Sequence, residues 1–96
     1  MSFTLNIETD FSPQEVSEAI RSALEHERHV AKYKVRRYSI ICQDFEAKFG
    51  LSSAELRAKF ETGSIGEESN FLEWYAAKRR LDHWSKRLEI LSGISF

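Results

Sequence analysis

Residues 12–50 read SPQEVSEAIRSALEHERHVAKYKVRRYSIICQDFEAKFG, and between Pro13 and Gly50 neither Pro nor Gly recurs. The opening is a helix start. A Ser before the first turn accepts a bond from an N–H that the helix leaves unpaired. Pro in the first turn has no N–H to lose, and Glu15, three residues after Ser12, completes a capping box. Phe11 and Val16 occupy the two hydrophobic-staple positions. At about 100° per residue, Val16, Ile20, Leu24, Ala31, Val35, Tyr38, Ile41, Cys42, Phe45 and Phe49 hold one face, interrupted only by Glu27 and Lys34. A stripe that never loses phase predicts one helix capped at Ser12 and running to residue 49, roughly 55 Å long. The alternative is a break near His29–Lys34.

The signals that follow are a stop and two restarts. Gly50 suits the left-handed position after a helix. Ser52 with Glu55 forms a second capping box, opening a short helix over residues 52–61 with Leu56 and Phe60 facing inward; Gly63 ends it. SIGEES, residues 64–69, reads as a turn, with Ser64 or Ser69 as the next cap and Glu67 and Glu68 suited to a helix N-terminus. The last helix spans residues 67–92 and stops at Gly93. Its Trp74, Ala77, Leu81, Trp84, Leu88 and Leu91 recur at alternating spacings of three and four, the seam of a two-helix, coiled-coil-type contact. The fold class is therefore all-α: a long–short–long antiparallel helical hairpin in a single domain, with Trp74, Leu81 and Trp84 expected against Tyr38, Phe45 and Phe49.

Residues 1–11 form an N-terminal arm or strand. Phe3, Leu5 and Ile7 alternate with Thr4, Asn6 and Glu8, the period of a half-buried strand. No second strand pattern follows. A lone strand cannot satisfy its own backbone, so its partner is expected in another molecule.

Composition narrows the classes. The chain has 96 residues, one Cys, one Pro, four Gly and a net charge of −1. One Cys excludes an internal disulfide and a Cys-based zinc site and fits a reducing compartment. No apolar run approaches the roughly 18 residues of a membrane span, and the start lacks a signal-peptide pattern, so a cytoplasmic protein away from membranes is expected. His26 and His29 lie on adjacent helical turns, but a metal site needs a third ligand, and the Glu-x-x-His pattern of helical di-metal proteins is absent. Cys42 has no His three or four residues away to activate it. No catalytic, cofactor-binding or metal-binding residues are expected, and no enzyme.

Two surfaces remain. Lys32, Lys34, Arg36 and Arg37, with Arg79 and Arg80 of KRR at 78–80, are the candidates for nucleic-acid contact. The other surface follows from length. The first helix overruns the last, leaving Val16, Ile20 and Leu24 uncovered. These, with Phe3, Leu5, Ile7, Glu27 and Lys34, form a candidate partner or dimer interface. An antiparallel homodimer centred between Val30 and Ala31 would set Glu27 against Lys34 and Ile20 against Ile41 of the other chain.

Residues 36–91 also carry a resemblance. An aromatic–Gly corner, the SSAE cap, KFETG at 59–63, an acidic turn GEESN at 66–70 and EWYA at 73–76 are similar to a family of small bacterial and archaeal helical proteins. The resemblance implies an antitoxin-like component of a toxin–antitoxin pair, a non-enzymatic protein-interaction module that binds a small toxin-like partner protein. The alternative is a regulatory module that binds nucleic acid through the 32–37 and 78–80 clusters.

Overall fold

The computed structural model describes Thr4 and residues 6–95. Three helices occur in order: α1, Pro13–Phe49; α2, Ser53–Glu61; and α3, Ser69–Ser92. The architecture is the all-α, long–short–long hairpin, with α1 and α3 packed antiparallel. α1 is unbroken through His29–Lys34. Ala31, at the middle of that segment, is fully buried, and no Gly or Pro interrupts the ladder there.

The ends of the helices follow their capping chemistry. Ser12 is extended, and its Oγ accepts from the Glu15 N–H at 3.2 Å while its hydroxyl donates to the Glu15 carboxylate at 3.1 Å. Ser52 and Glu55 repeat the arrangement at α2. Gly50 has φ 64° and ψ 30°, and its N–H reaches the Glu46 carbonyl at 2.9 Å. A Cβ on Gly50 would meet nothing within 4 Å, so only backbone conformation asks for glycine there. The start of α3 departs from the expectation. Its N-cap is Glu68, without a side-chain cap bond, and Ser69 is already helical. Ser64 is used elsewhere: its N–H bonds the Lys59 carbonyl and its hydroxyl lies 2.9 Å from Thr62 Oγ1, tying it into the exit from α2.

The core lies at the corner. Cys42, Leu56, Trp74 and Ala77 are buried together. The Trp74 indole stacks on Phe45 and Phe49, with ring centroids 5.6 and 5.8 Å away; Phe49 meets Phe71 at 5.2 Å, and Phe60 stacks on Tyr75 at 4.3 Å. Along the seam Trp74, Ala77 and Leu91 are buried, and Leu81, Trp84 and Leu88 are half-buried. Trp84 therefore falls short of the core role expected from its spacing. It lies beyond α2, where two helices alone meet, and two helices do not enclose an indole.

The molecule is long. Its radius of gyration is 18.8 Å and its extents are 57 × 25 × 19 Å, against about 12–13 Å for a compact chain of this length. α1, with 37 residues, spans the whole long dimension at 1.5 Å rise per residue. α3 runs back along it only as far as Arg28, which its last turn touches. The segment 13–26, about four turns and roughly 21 Å, projects past the hairpin. Ahead of it the described arm residues form no strand and are exposed. Phe3 and Leu5, two of the three apolar positions of the expected strand, lie outside the described residues. Ile7, the third, is 52% exposed.

Candidate functional site

The projecting segment is built by the same stripe that builds the hairpin. Val16, Ile20 and Leu24 continue the face that carries Ala31 and Tyr38, but with α3 ended they stay half-buried. The arm meets the helix start there. Ile7, Thr9, Phe11, Pro13, Val16 and Ser17 line a shallow groove of about 280 Å³, in which Phe11 is 69% exposed.

One member of the expected interface is engaged inside the chain. Glu27 accepts a bond from Arg87 at 2.9 Å. Lys34 is half-buried. Ala31, at the centre of the expected dimer, is fully covered. An interface centred at Val30–Ala31 would need Ala31 uncovered, whereas α3 of the same chain covers this stripe from Glu27 onward and ends short of residues 13–26.

The basic residues divide. Tyr38 draws two guanidinium groups to its ring, Arg37 from its own helix at 6.0 Å and Arg80 from α3 at 5.9 Å; Arg79 lies 5.8 Å from the Tyr75 ring. The hairpin thus joins the two clusters at one aromatic ring. Lys32 and Arg36 are turned roughly 120–160° from Tyr38 around α1, onto the opposite side. Both are exposed.

Some organising residues gave no motif. Arg28 donates through Nε at 3.0 Å and Nη2 at 2.9 Å to the Leu91 carbonyl, and through Nη2 to the Ile94 carbonyl. The last turn of α3 has no basic residue of its own, so Arg28 places the cation that a helix C-terminus favours. The signal was available. Once Trp74 is laid on Phe45, counting antiparallel brings position 28 opposite 91. At the corner, Trp74 Nε1 donates to Ser53 Oγ at 2.8 Å, and the Ser53 N–H donates to the Glu46 carboxylate at 2.8 Å. Arg57 of α2 reaches Asp82 of α3 at 2.6 Å, and Lys78 bonds the same carboxylate at 2.7 Å. The carboxylates of Glu61, first, and Asp82 hold the Arg57 guanidinium in its charged form.

Cys42 borders a cleft of about 250 Å³ with Glu46, Ser53 and Lys78. Burial pushes its thiol above the ordinary value, with a hydrogen bond to Ser53 acting in the opposite sense. The Lys78 ammonium, which borders the same cleft, is already held by Asp82. His26 and His29 are exposed, and His83 packs edge-on to Trp84 at 5.3 Å. Among the described residues no three His, Cys, Asp or Glu side chains gather as a metal set, and no helix is long and apolar enough to cross a membrane.

Compared with protein-family models, curated proteins and solved structures, the chain has no match.

Proposed function

We propose that the chain is a non-enzymatic protein-interaction module, an antitoxin-like component that binds a small toxin-like partner in the cytoplasm. One observation carries the reading: α1 outruns α3 by about four turns and takes its apolar stripe, Val16, Ile20 and Leu24, beyond the fold that would bury it. The exposed Ile7 and Phe11 widen that surface. An apolar stripe left half-covered costs free energy in water and is retained where another surface completes its cover. The test is co-expression with the protein encoded beside this one. A stoichiometric complex that is lost on changing Ile20 and Leu24 to Glu is the expected result. Separate migration of the two proteins rejects the reading.

A second reading, a regulatory module that contacts nucleic acid, rests on the convergence of Arg37 and Arg80 at Tyr38. Fluorescence anisotropy with duplex DNA and structured RNA across a salt series decides it. The isolated protein is expected not to bind at physiological salt. Micromolar affinity there, with a salt slope flattened by Arg37→Gln and Arg80→Gln, would put this reading first.

A further inference from the structure

A net charge of −1 hides a zoned molecule. The hairpin lays residues 28–43 of α1 beside 76–91 of α3: Arg28 reaches Leu91 at one end, and Tyr38 meets Arg80 further along. This waist, about 24 Å long at 1.5 Å per residue, carries ten Lys or Arg and two Asp or Glu. The chain before it carries six acidic residues and one basic; residues 44–75, at the corner, carry seven acidic and three basic. A cationic waist thus separates two anionic ends. We infer that one side of the waist, built by Lys34, Arg37, Arg79 and Arg80, holds the phosphate backbone of a nucleic acid that crosses the hairpin instead of running along it. The inference rests on the second reading above and gives that reading its side, its number of contacts and its direction.

Several cations of the waist are engaged by the fold. Arg28 holds carbonyls of α3, Lys78 is bonded by Asp82, and Arg87 by Glu27. Among the described residues Lys34, Arg37, Arg79 and Arg80 have no carboxylate partner. Arg37 and Arg80, one from each helix, stand within 6.0 Å of the Tyr38 ring centre, and Arg79 lines one shallow groove with Ala76, Arg80 and His83. Lys34 precedes Arg37 by one turn. A ring face offsets like charges brought this close only in part; an anion completes the balance. The side is open. Arg57 of α2 holds Asp82, which lies about 160° around α3 from Arg80, and Arg37, Arg79 and Arg80 are exposed.

A guanidinium fork accepts carboxylate and phosphate alike, so the neighbouring aromatic decides between them. Tyr33, 59% exposed and one turn before Arg37, offers a ring on which a base can stack. A carboxylate-rich peptide has no use for it. Direction follows from the acidic ends. Phosphates laid along the 57 Å axis would pass over both. Laid across, they meet the waist alone, whose centre is about 12 Å from either end, beyond the roughly 8 Å screening length of physiological salt.

Fluorescence anisotropy of the full chain with a short labelled duplex DNA, at salt from about 30 to about 200 mM, tests the inference. Four contacts predict a slope of about −3.6 in log affinity against log salt, a loss of roughly 50-fold between 50 and 150 mM. Binding is therefore expected at low salt and absent at physiological salt. Arg37→Gln with Arg80→Gln should flatten the slope by about 1.8; Lys32→Gln with Arg36→Gln, on the other side of α1, should leave it unchanged. Glu18→Gln with Glu25→Gln, on the acidic projecting end, should change affinity by less than about twofold. Helicity and Trp74 fluorescence should be kept in all three, since every changed side chain is exposed. No binding at about 30 mM salt removes the nucleic-acid reading and the inference with it. Binding whose slope falls as much in the Lys32 and Arg36 pair overturns the side while the reading stands. A tenfold gain in the Glu18 and Glu25 pair overturns the crossing. Tighter binding of a labelled oligoglutamate than of the duplex at equal salt gives this side to an acidic protein and also overturns the inference.

Discussion

At the corner, α1, α2 and α3 close over Cys42, Leu56, Trp74 and Ala77, and each buried polar atom there has a partner. At the other end, α1 continues past α3 with the same period of apolar residues, and Val16, Ile20 and Leu24 there are only half-buried. One helix therefore carries one pattern through two environments. A continuous stripe tells where a helix can be covered; the lengths of its neighbours tell where it is. The corner is the part whose loss unfolds the molecule.

The sharpest way to break this contrast is at the tryptophans. Trp74→Ala removes a fully buried indole, two aromatic contacts and the donor to Ser53 Oγ. A loss of about 3–5 kcal/mol is expected in urea unfolding. Trp84→Ala, at a half-buried position, should cost about 1–2 kcal/mol, below the range for buried aromatics. Equal losses would mean that the corner is no more a core than the rest of the seam.

Arg28→Met tests the hinge between the two regions. The variant keeps the apolar stem but leaves the Leu91 and Ile94 carbonyls without their cation. A loss of about 1–2 kcal/mol is expected, since the freed carbonyls turn to water. Hydrogen exchange should speed up over residues 88–94 and not at the corner. Gly50→Ala comes next. At φ 64° an alanine is strained by about 1 kcal/mol, and with open space around it nothing else changes. Midpoints in urea with an unchanged slope would check this.

Much of the hairpin was legible because its determinants are local. Ser12, Pro13 and Glu15 start a helix by bonds within four residues, and Gly50 stops one by its own φ. The unbroken α1 follows from phase alone. What stayed hidden depends on three-dimensional offset. Arg28 has no local partner, and its role appears only once Leu91 is laid beside it. Glu27 reads as an unpaired charge in a stripe until Arg87 is brought opposite. Ser64 reads as a cap until Thr62 and Lys59 claim it. Trp74 and Trp84 share one heptad pattern, and only the location of α2 makes them unequal. The candidate surface was legible in its members Val16, Ile20 and Leu24. The overrun of α1 past α3 was legible too, because it follows from the two helix lengths.

The smallest effect expected separates the two regions by a thiol. Burial, the largest influence on Cys42, raises it above its ordinary value of 9.0 despite the opposing Ser53 bond. The neutral thiol is then favoured in the fold. That contribution to stability is fully present below the ordinary value and is lost as pH rises through the raised one. Urea midpoints should fall between pH 8 and pH 10, and Cys42→Ala should flatten part of that fall. Other groups titrate in the same window, so the difference between the two proteins isolates the thiol. Labelling provides the counterpart on the projecting segment. In the native chain Cys42 should react with a disulfide reagent at pH 8 only as fast as the corner opens, so that denaturant speeds it steeply. A cysteine at Ser22, exposed on the far side of the projecting segment, in a Cys42→Ala background, should react at the rate of a free thiol, with an ordinary titration and little response to denaturant. Matching rates at the two positions would show that the corner opens as readily as the segment that stands alone, and the contrast between them would be lost.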